Sequence, residues 1–196
     1  MKNHHHYILH KPYGYLSQFV NNQSQRRNKK LLGELADFPE GTMSIGRLDQ
    51  GSEGLLFLTT DGKLSAMISS KKVEKEYQVQ VDGKITTEGI DQLKMGVKIN
   101  IHGRSYKTLP CPVHRLDPPP VFKERSKKIR DERHGPTSWL SITLREGKFR
   151  QVRKMTAAVG FPTLRLIRVR IGNIELDDLE AGQFLKVNDF GHMKII

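Results

Sequence analysis

Between residues 76 and 81 the chain reads EYQVQV, with polar and apolar side chains alternating without a break. A period of two puts Tyr77, Val79 and Val81 on one face and leaves the other face to water, the pattern of a half-buried strand. Residues 139–144 (WLSITL) alternate in the same way. Strands covered on one side belong to antiparallel sheets, so these two segments commit the chain to a sheet-based fold. Residues 54–60 (GLLFLTT) form instead a continuous apolar run closed by the turn dipeptide Asp61-Gly62, which reads as a fully buried strand. Shorter strands are predicted over 7–10, 97–101, 106–109, 164–171 and 184–187.

Helical signals are few and short. The pattern predicts helices over 63–68, over 88–94 with Thr86 as N-cap, and over 150–159 with Gly160 ending the last turn. In the third, Val152, Met155 and Val159 make the apolar stripe, and Arg150, Arg153, Lys154 and Ala157 line another face. A single helical turn is expected at 31–36. The polar stretch 21–30 (NNQSQRRNKK) reads as a mobile loop, and Lys11-Pro12-Tyr13-Gly14 as a turn. Residues 117–137 hold four prolines and ten charged side chains; this composition predicts a long irregular loop. The sum is an α+β chain on a mixed, largely antiparallel sheet with short flanking helices. A length of 196 residues suits one domain, or two small lobes sharing a core.

Charge narrows the partner. Of a net +12, residues 121–170 supply 14 basic against 4 acidic groups. Basic side chains concentrated in one segment are the footprint of a polyanion; the alternative is a solvated surface. No apolar run approaches the roughly 20 residues of a membrane span, and the first residues carry no secretory pattern. Cys111 is the only cysteine, which excludes an intrachain disulfide and fits a reducing, cytoplasmic setting. His4–His6 cannot all face one ion and have no acidic or cysteine partner nearby, so no metal is expected. No P-loop or dinucleotide fingerprint is present, so nothing points to ATP or NAD.

The densest chemistry lies in residues 44–56, where three glycines, Arg47, Asp49 and Glu53 share one loop. Taken alone, Asp49 reads as a turn aspartate paired with Arg47. Gly46-Arg47-Leu48-Asp49, followed by Ser52-Glu53-Gly54-Leu55-Leu56, Thr59 and Asp61-Gly62, resembles the catalytic motif of RNA pseudouridine synthases. The form is that of the branch acting on small-subunit and large-subunit rRNA. Lys11-Pro12-Tyr13-Gly14 resembles the first motif of that family, and Lys75-Glu76-Tyr77 its tyrosine motif. Residues 146–155 (EGKFRQVRKM) resemble its third motif, and Arg168, Ile171-Gly172, Leu176, Leu179 and Gly182 its closing pattern. The likeness runs over residues 7–187, the core of a single catalytic domain spanning 1–196. Pro118–Pro120, Glu124-Arg125, residues 136–140 and residues 160–168 resemble the members that modify 23S rRNA. Because the first motif starts at Lys11, no N-terminal S4 domain is expected.

The resemblance implies a fold with two small lobes and a central active-site cleft, and an isomerase that needs no cofactor. It implies that Asp49 is the catalytic carboxylate, that Arg153 is the cation that keeps it ionised, and that Tyr77 stacks on the target base. Arg47 would enter the space left by the flipped nucleotide, and Leu166 would line the uracil pocket. Lys11, Arg150, Gln151 and Lys154 match motif positions expected to bind RNA. Competing readings remain for each: core packing for Tyr77 and Leu166, a phosphate contact or a solvated position for Arg153, a salt bridge for Arg47. The expected partner is 23S rRNA, naked or in a partly assembled subunit, met by a monomer. The alternatives are 16S rRNA or tRNA as substrate, or a non-catalytic rRNA-binding or assembly protein on the same scaffold.

Overall fold

The computed structural model describes residues 4–20, 29–70 and 73–190. The loop expected at 21–30 falls almost wholly outside the described residues. Thirteen strands and three α-helices are described, in two compact units: Met1–Val73 with Arg168–Ile196, and Glu74–Ile167.

The first unit begins with β1 (His6–Lys11), β2 (Tyr15–Leu16), β3 (Lys30–Leu31), β4 (Met43–Ile45), β5 (Glu53–Thr59) and α1 (Gly62–Ser70). All seven residues of β5 are buried, as its unbroken apolar run required. It is flanked by β1 over six of its seven residues, from His6 opposite Thr59 to Lys11 opposite Gly54, and β4 pairs antiparallel with its last three residues. Leu55, Leu56 and Leu58 are fully enclosed, and each such side chain contributes about 1.5–3 kcal/mol to folding. One face carries Tyr7, Leu9, Leu32, Leu56 and Leu58 against Phe19, Leu35 and Phe38. Strand β1 is buried at all six positions, so its polar His6, His10 and Lys11 lie inside, which its composition did not announce. Asp61 starts α1 by accepting from the Lys63 and Leu64 amides at 2.9 and 3.1 Å. The predicted turn at 31–36 is a 3-10 turn over Leu32–Glu34.

The second unit holds β6 (Lys75–Asp82), α2 (Thr87–Met95), β7 (Lys98–Ile101), β8 (Arg104–Lys107), β9 (Val113–Leu116), β10 (Thr137–Leu144) and α3 (Gln151–Ala158). Strand β6 shows the expected alternation, with Tyr77, Val79 and Val81 buried. It pairs antiparallel with β10, Tyr77 standing opposite Ile142. Strand β10 breaks its alternation because its second face is covered too, with Trp139 against Phe122 and Ser141 Oγ donating to Glu76 Oε1; β9, which the sequence left unassigned, pairs along its other edge. Thr86 caps α2, accepting from Gly89 N at 3.1 Å. Strand β8 begins at Arg104, two residues before the expected start, because the turn between β7 and β8 is only His102-Gly103.

Strand β11 (Thr163–Ile171) passes from the second unit into the first, which then closes with β12 (Ile174–Glu175) and β13 (Phe184–Val187). The strand order is β13-β1-β5-β11 in the first unit and β11-β6-β10-β9 in the second. Pairing is antiparallel for β1–β13, β1–β5, β4–β5, β6–β10, β9–β10, β7–β8 and β11–β12, and parallel for β2–β3. The chain is thus an α+β fold with a mixed, largely antiparallel sheet.

The segment 117–137 is irregular, as expected, apart from a 3-10 turn at Glu132–His134. It is nonetheless tied down. Arg130 pairs with Asp82, Arg165 donates to Lys123 O at 3.0 Å and lies over the Phe122 ring, and Phe122 packs 5.7 Å from Trp139. Polar composition announced the irregularity; these side-chain anchors come from strands distant in sequence.

Candidate active site

In the first unit, Asp49 sits half-buried in the loop between β4 and β5, and neighbouring backbone bonds bracket it on both sides. Before it, Ser17 Oγ accepts from Leu48 N at 2.9 Å and donates to Leu48 O at 2.8 Å. After it, Gly14 N donates to Gln50 O at 2.8 Å, and Gln50 Nε2 donates to Gly14 O at 3.1 Å. Ser52 N closes the turn on Asp49 O at 3.0 Å. The turn at 11–14 and the residues after it therefore serve as the mould for the acid loop. A backbone held this way fixes the point from which the Asp49 side chain projects.

Beneath the loop is a buried charge cluster. Lys11 has no exposed surface, and its Nζ donates to Pro12 O at 2.9 Å and Tyr15 O at 2.8 Å. Burial pulls this ammonium down to about 7; Glu53 and Asp49 oppose the shift and Arg168 adds to it. Glu53 and Arg168 are themselves buried, and Arg168 Nε donates to Leu55 O at 2.7 Å. Lys11 is thus one cation of this unit that interacts electrostatically with Asp49. An ammonium without exposed surface touches no phosphate, so the expectation that Lys11 binds RNA is replaced by a role in shaping the loop. Gly54 makes the cluster possible: with φ +107°, it passes so close to β11 that a Cβ would stand 2.2 Å from Arg168 O.

Arg47 is exposed, beside a hollow of about 370 Å³ also lined by Ser17, Phe19, Thr42, Met43 and Ser44. Its position leaves the guanidinium accessible to a ligand.

In the second unit, Tyr77 is buried on β6, on the same face as Val79 and Val81. Leu166 is buried on β11. Helix α3 starts one residue later than expected, because Arg150 takes a left-handed conformation (φ +52°) and stands as N-cap. Val152 and Met155 are buried as the stripe predicted, joined by Thr156. Arg153 is half-buried, and Arg150 is exposed. Gln151 is buried: Lys148 N donates to its Oε1 at 2.9 Å, and its Nε2 donates to Glu146 Oε1 at 2.5 Å. It serves the turn ahead of α3. Lys154 Nζ donates to Asn100 O at 2.6 Å, so this lysine braces α3 against β7.

Glu146 escaped the sequence reading as a functional position. It accepts from Tyr106 Oη at 2.5 Å, Leu109 N at 3.0 Å and Gln151 Nε2, and so joins β8, the following loop and the start of α3. Ser17 was missed as well, with no local pattern to reveal it. Glu53 and Arg168 were in the quoted motifs; an acid inside an otherwise apolar strand start was the available signal that a buried cation must lie opposite it.

Residues 5–158 match the RNA pseudouridylate synthase family. The chain is 41% identical over 184 residues to the ribosomal large subunit pseudouridine synthase E of Xanthomonas campestris, covering 93% of this chain and 94% of that protein. It is 41% identical to the protein of the same name from Vibrio parahaemolyticus, covering 92% of this chain and 72% of the relative. The crystal structure of a pseudouridylate synthase superimposes with a TM-score of 0.77 at 25% identity, covering 100% of this chain and 75% of that one. The chain is therefore an enzyme that belongs to the RNA pseudouridylate synthase family.

Proposed function

We propose that this enzyme converts one uridine of 23S rRNA to pseudouridine, with Asp49 as nucleophile. The observation that carries the reading is the double clamp of Leu48 and Gln50 by Ser17 and Gly14, which fixes the carboxylate-bearing residue between them. The substrate class follows from relatives named large-subunit synthases that align over nearly the whole chain.

Pseudouridine formation breaks the N1–C1′ bond of uridine, turns the uracil and rejoins it through C5. Every atom of the substrate is in the product, so no redox equivalent or triphosphate enters the balance. The reaction needs an ionised carboxylate to begin and a held base to finish. Asp49 supplies the first. Tyr77 stacks on the uracil, Arg153 supplies positive charge to the reacting carboxylate, and Leu166 gives the base an apolar wall. The base must leave its stack to react, at a cost of a few kcal/mol; Arg47, exposed beside the acid loop, fills the place it vacates. Arg150 and Lys154 meet the RNA backbone. The chain acts as a single catalytic domain, in a monomer, in the cytoplasm, with neither metal nor cofactor.

The purified protein is to be incubated separately with protein-free 23S rRNA, 16S rRNA, bulk tRNA and intact 50S subunits, and new pseudouridines mapped. The expected result is one modified position in protein-free 23S rRNA. Modification of 16S rRNA or tRNA alone overturns the substrate; binding without any new pseudouridine favours a scaffold protein.

A further inference from the structure

The β7–β8 hairpin and the turn ahead of α3 build a surface that the reaction as described does not use. Phe149 is 52% exposed, too open for core packing. It is not loose: the His102 ring stacks on it with centroids 5.2 Å apart and planes 24° from parallel, and Lys154 Nζ lies 5.0 Å from its centre. Lys154 is itself pinned on Asn100 O. His102 stands in the left-handed region (φ +50°) of a two-residue turn with Gly103 (φ +83°). Asn, Asp or Gly suits such a turn best, so histidine there costs backbone energy that its ring contact helps to offset.

The surroundings are cationic. Residues 96–111 and 147–159 contain Lys98, Arg104, Lys107, Lys148, Arg150, Arg153 and Lys154 and no carboxylate. Lys98 and Lys107 are direct cross-strand partners, an arrangement that destabilises a hairpin unless an anion lies over it. Glu146, just before the second segment, is engaged by Tyr106, Leu109 and Gln151. Two features thus coincide: an exposed aromatic pair, with Phe149 braced by His102 and Lys154, and opposed lysines that favour an anion.

We propose that the Phe149–His102 stack, with Lys98 and Lys107, is a docking platform for an unpaired nucleotide of the RNA strand outside the reacting uridine. The base packs against the exposed aromatic pair and its flanking phosphates neutralise the hairpin lysines. Stacking on aromatic rings with phosphates held by Lys and Arg is how single strands are bound without sequence readout. The inference rests on the reading that the substrate is RNA.

The test measures binding of a 12-nucleotide oligouridylate and of a 12-base-pair RNA duplex to the whole protein by fluorescence anisotropy. Phe149→Ala is expected to weaken oligouridylate binding at least fivefold and duplex binding less than twofold, and Phe149→Tyr to restore the former. In a Phe149→Trp variant, oligouridylate should quench the indole emission. Lys98→Ala with Lys107→Ala should lower the salt slope for both probes. Unchanged oligouridylate affinity in Phe149→Ala, equal loss for both probes, or an unquenched indole each overturns the platform. A wild-type protein that binds oligouridylate as described but forms no pseudouridine in any RNA leaves the platform standing and overturns the proposed reaction.

Discussion

At the scale of the residue, Asp49, Gly54 and Lys11 make separate predictions. Asp49→Asn keeps the size and the backbone clamps of its neighbours but removes the charge. Pseudouridine formation should fall below detection, with circular dichroism and RNA affinity near wild type; turnover within tenfold of wild type removes Asp49 from the chemistry. Gly54→Ala would place a methyl group 2.2 Å from a backbone oxygen of β11 at a positive φ, so urea unfolding should show a loss of about 3 kcal/mol or more. Gly147→Ala, where φ is not positive and no atom lies within 4 Å of the added carbon, should not destabilise and is the control. For Lys11, the folded ammonium titrates near 7 and the unfolded one near its ordinary 10.5. Between those values the unfolded chain binds more protons, so this group's contribution to stability rises with pH, by at most about 1.4 kcal/mol per unit. The stability of wild type minus that of Lys11→Met should therefore increase from pH 7 to pH 9 and stay flat below pH 6. A difference that is level or falls across the upper range would contradict the buried, partly neutral lysine.

At the scale of the element, the start of α3 and the 117–137 segment are informative. Helix α3 has no side-chain cap at Arg150. The residue doing a comparable job is Glu146, whose carboxylate joins Tyr106, Leu109 N and Gln151. Hydrogen bonds to a charged acceptor contribute about 1.5–3 kcal/mol each when partly buried. Glu146→Ala is expected to destabilise by about 2–3 kcal/mol, and in a double-mutant cycle with Gln151→Ala the two losses should fall short of additive, because they share a bond. Additive losses in calorimetry would mean that the two side chains act apart. In 117–137, the anchors Phe122, Arg130 and Arg165 hold the segment down, while Lys123, Lys127 and Lys128 remain exposed. Replacing the three lysines with alanine should flatten the salt dependence of 23S rRNA binding, since each neutralised phosphate contributes slightly under one unit of log–log slope. An unchanged slope would make the segment a solvated surface.

At the scale of the molecule, the isomerisation consumes and releases nothing beyond its uridine, so activity should survive EDTA and exhaustive dialysis without added nucleotide. Loss on chelation with recovery on adding a metal would refute that chemistry. Intact 50S subunits should be modified far more slowly than protein-free 23S rRNA, because flipping a packed uridine breaks tertiary contacts as well as stacking; equal rates would overturn the order of events but not the reaction. Periodicity made β5, β6, α2 and most of α3 legible, because each pattern is local: a buried run, a period of two, a Thr86 cap, a stripe at Val152 and Met155. The ordered motifs made the family and the residues to watch legible too. What no local pattern carried was the burial of polar side chains in the first unit. Strand β1 holds His6, His10 and Lys11 buried, with their side chains bonded to Thr59, to Leu179 O, and to Pro12 O and Tyr15 O, and no periodicity in the strand signals those partners. Strand β9 escaped notice because four residues with two exposed polar positions resemble a loop until β10 offers them an edge. Sequence by itself determined which residues carry charge, alternate or break a helix, since these are properties of neighbours along the chain. Only the tertiary structure decided that Ser17 and Gly14 clamp the aspartate loop, that Lys11 is buried beside Glu53 instead of meeting phosphate, and that His102 supports Phe149, because burial and hydrogen-bond partnership arise between residues that the chain keeps far apart.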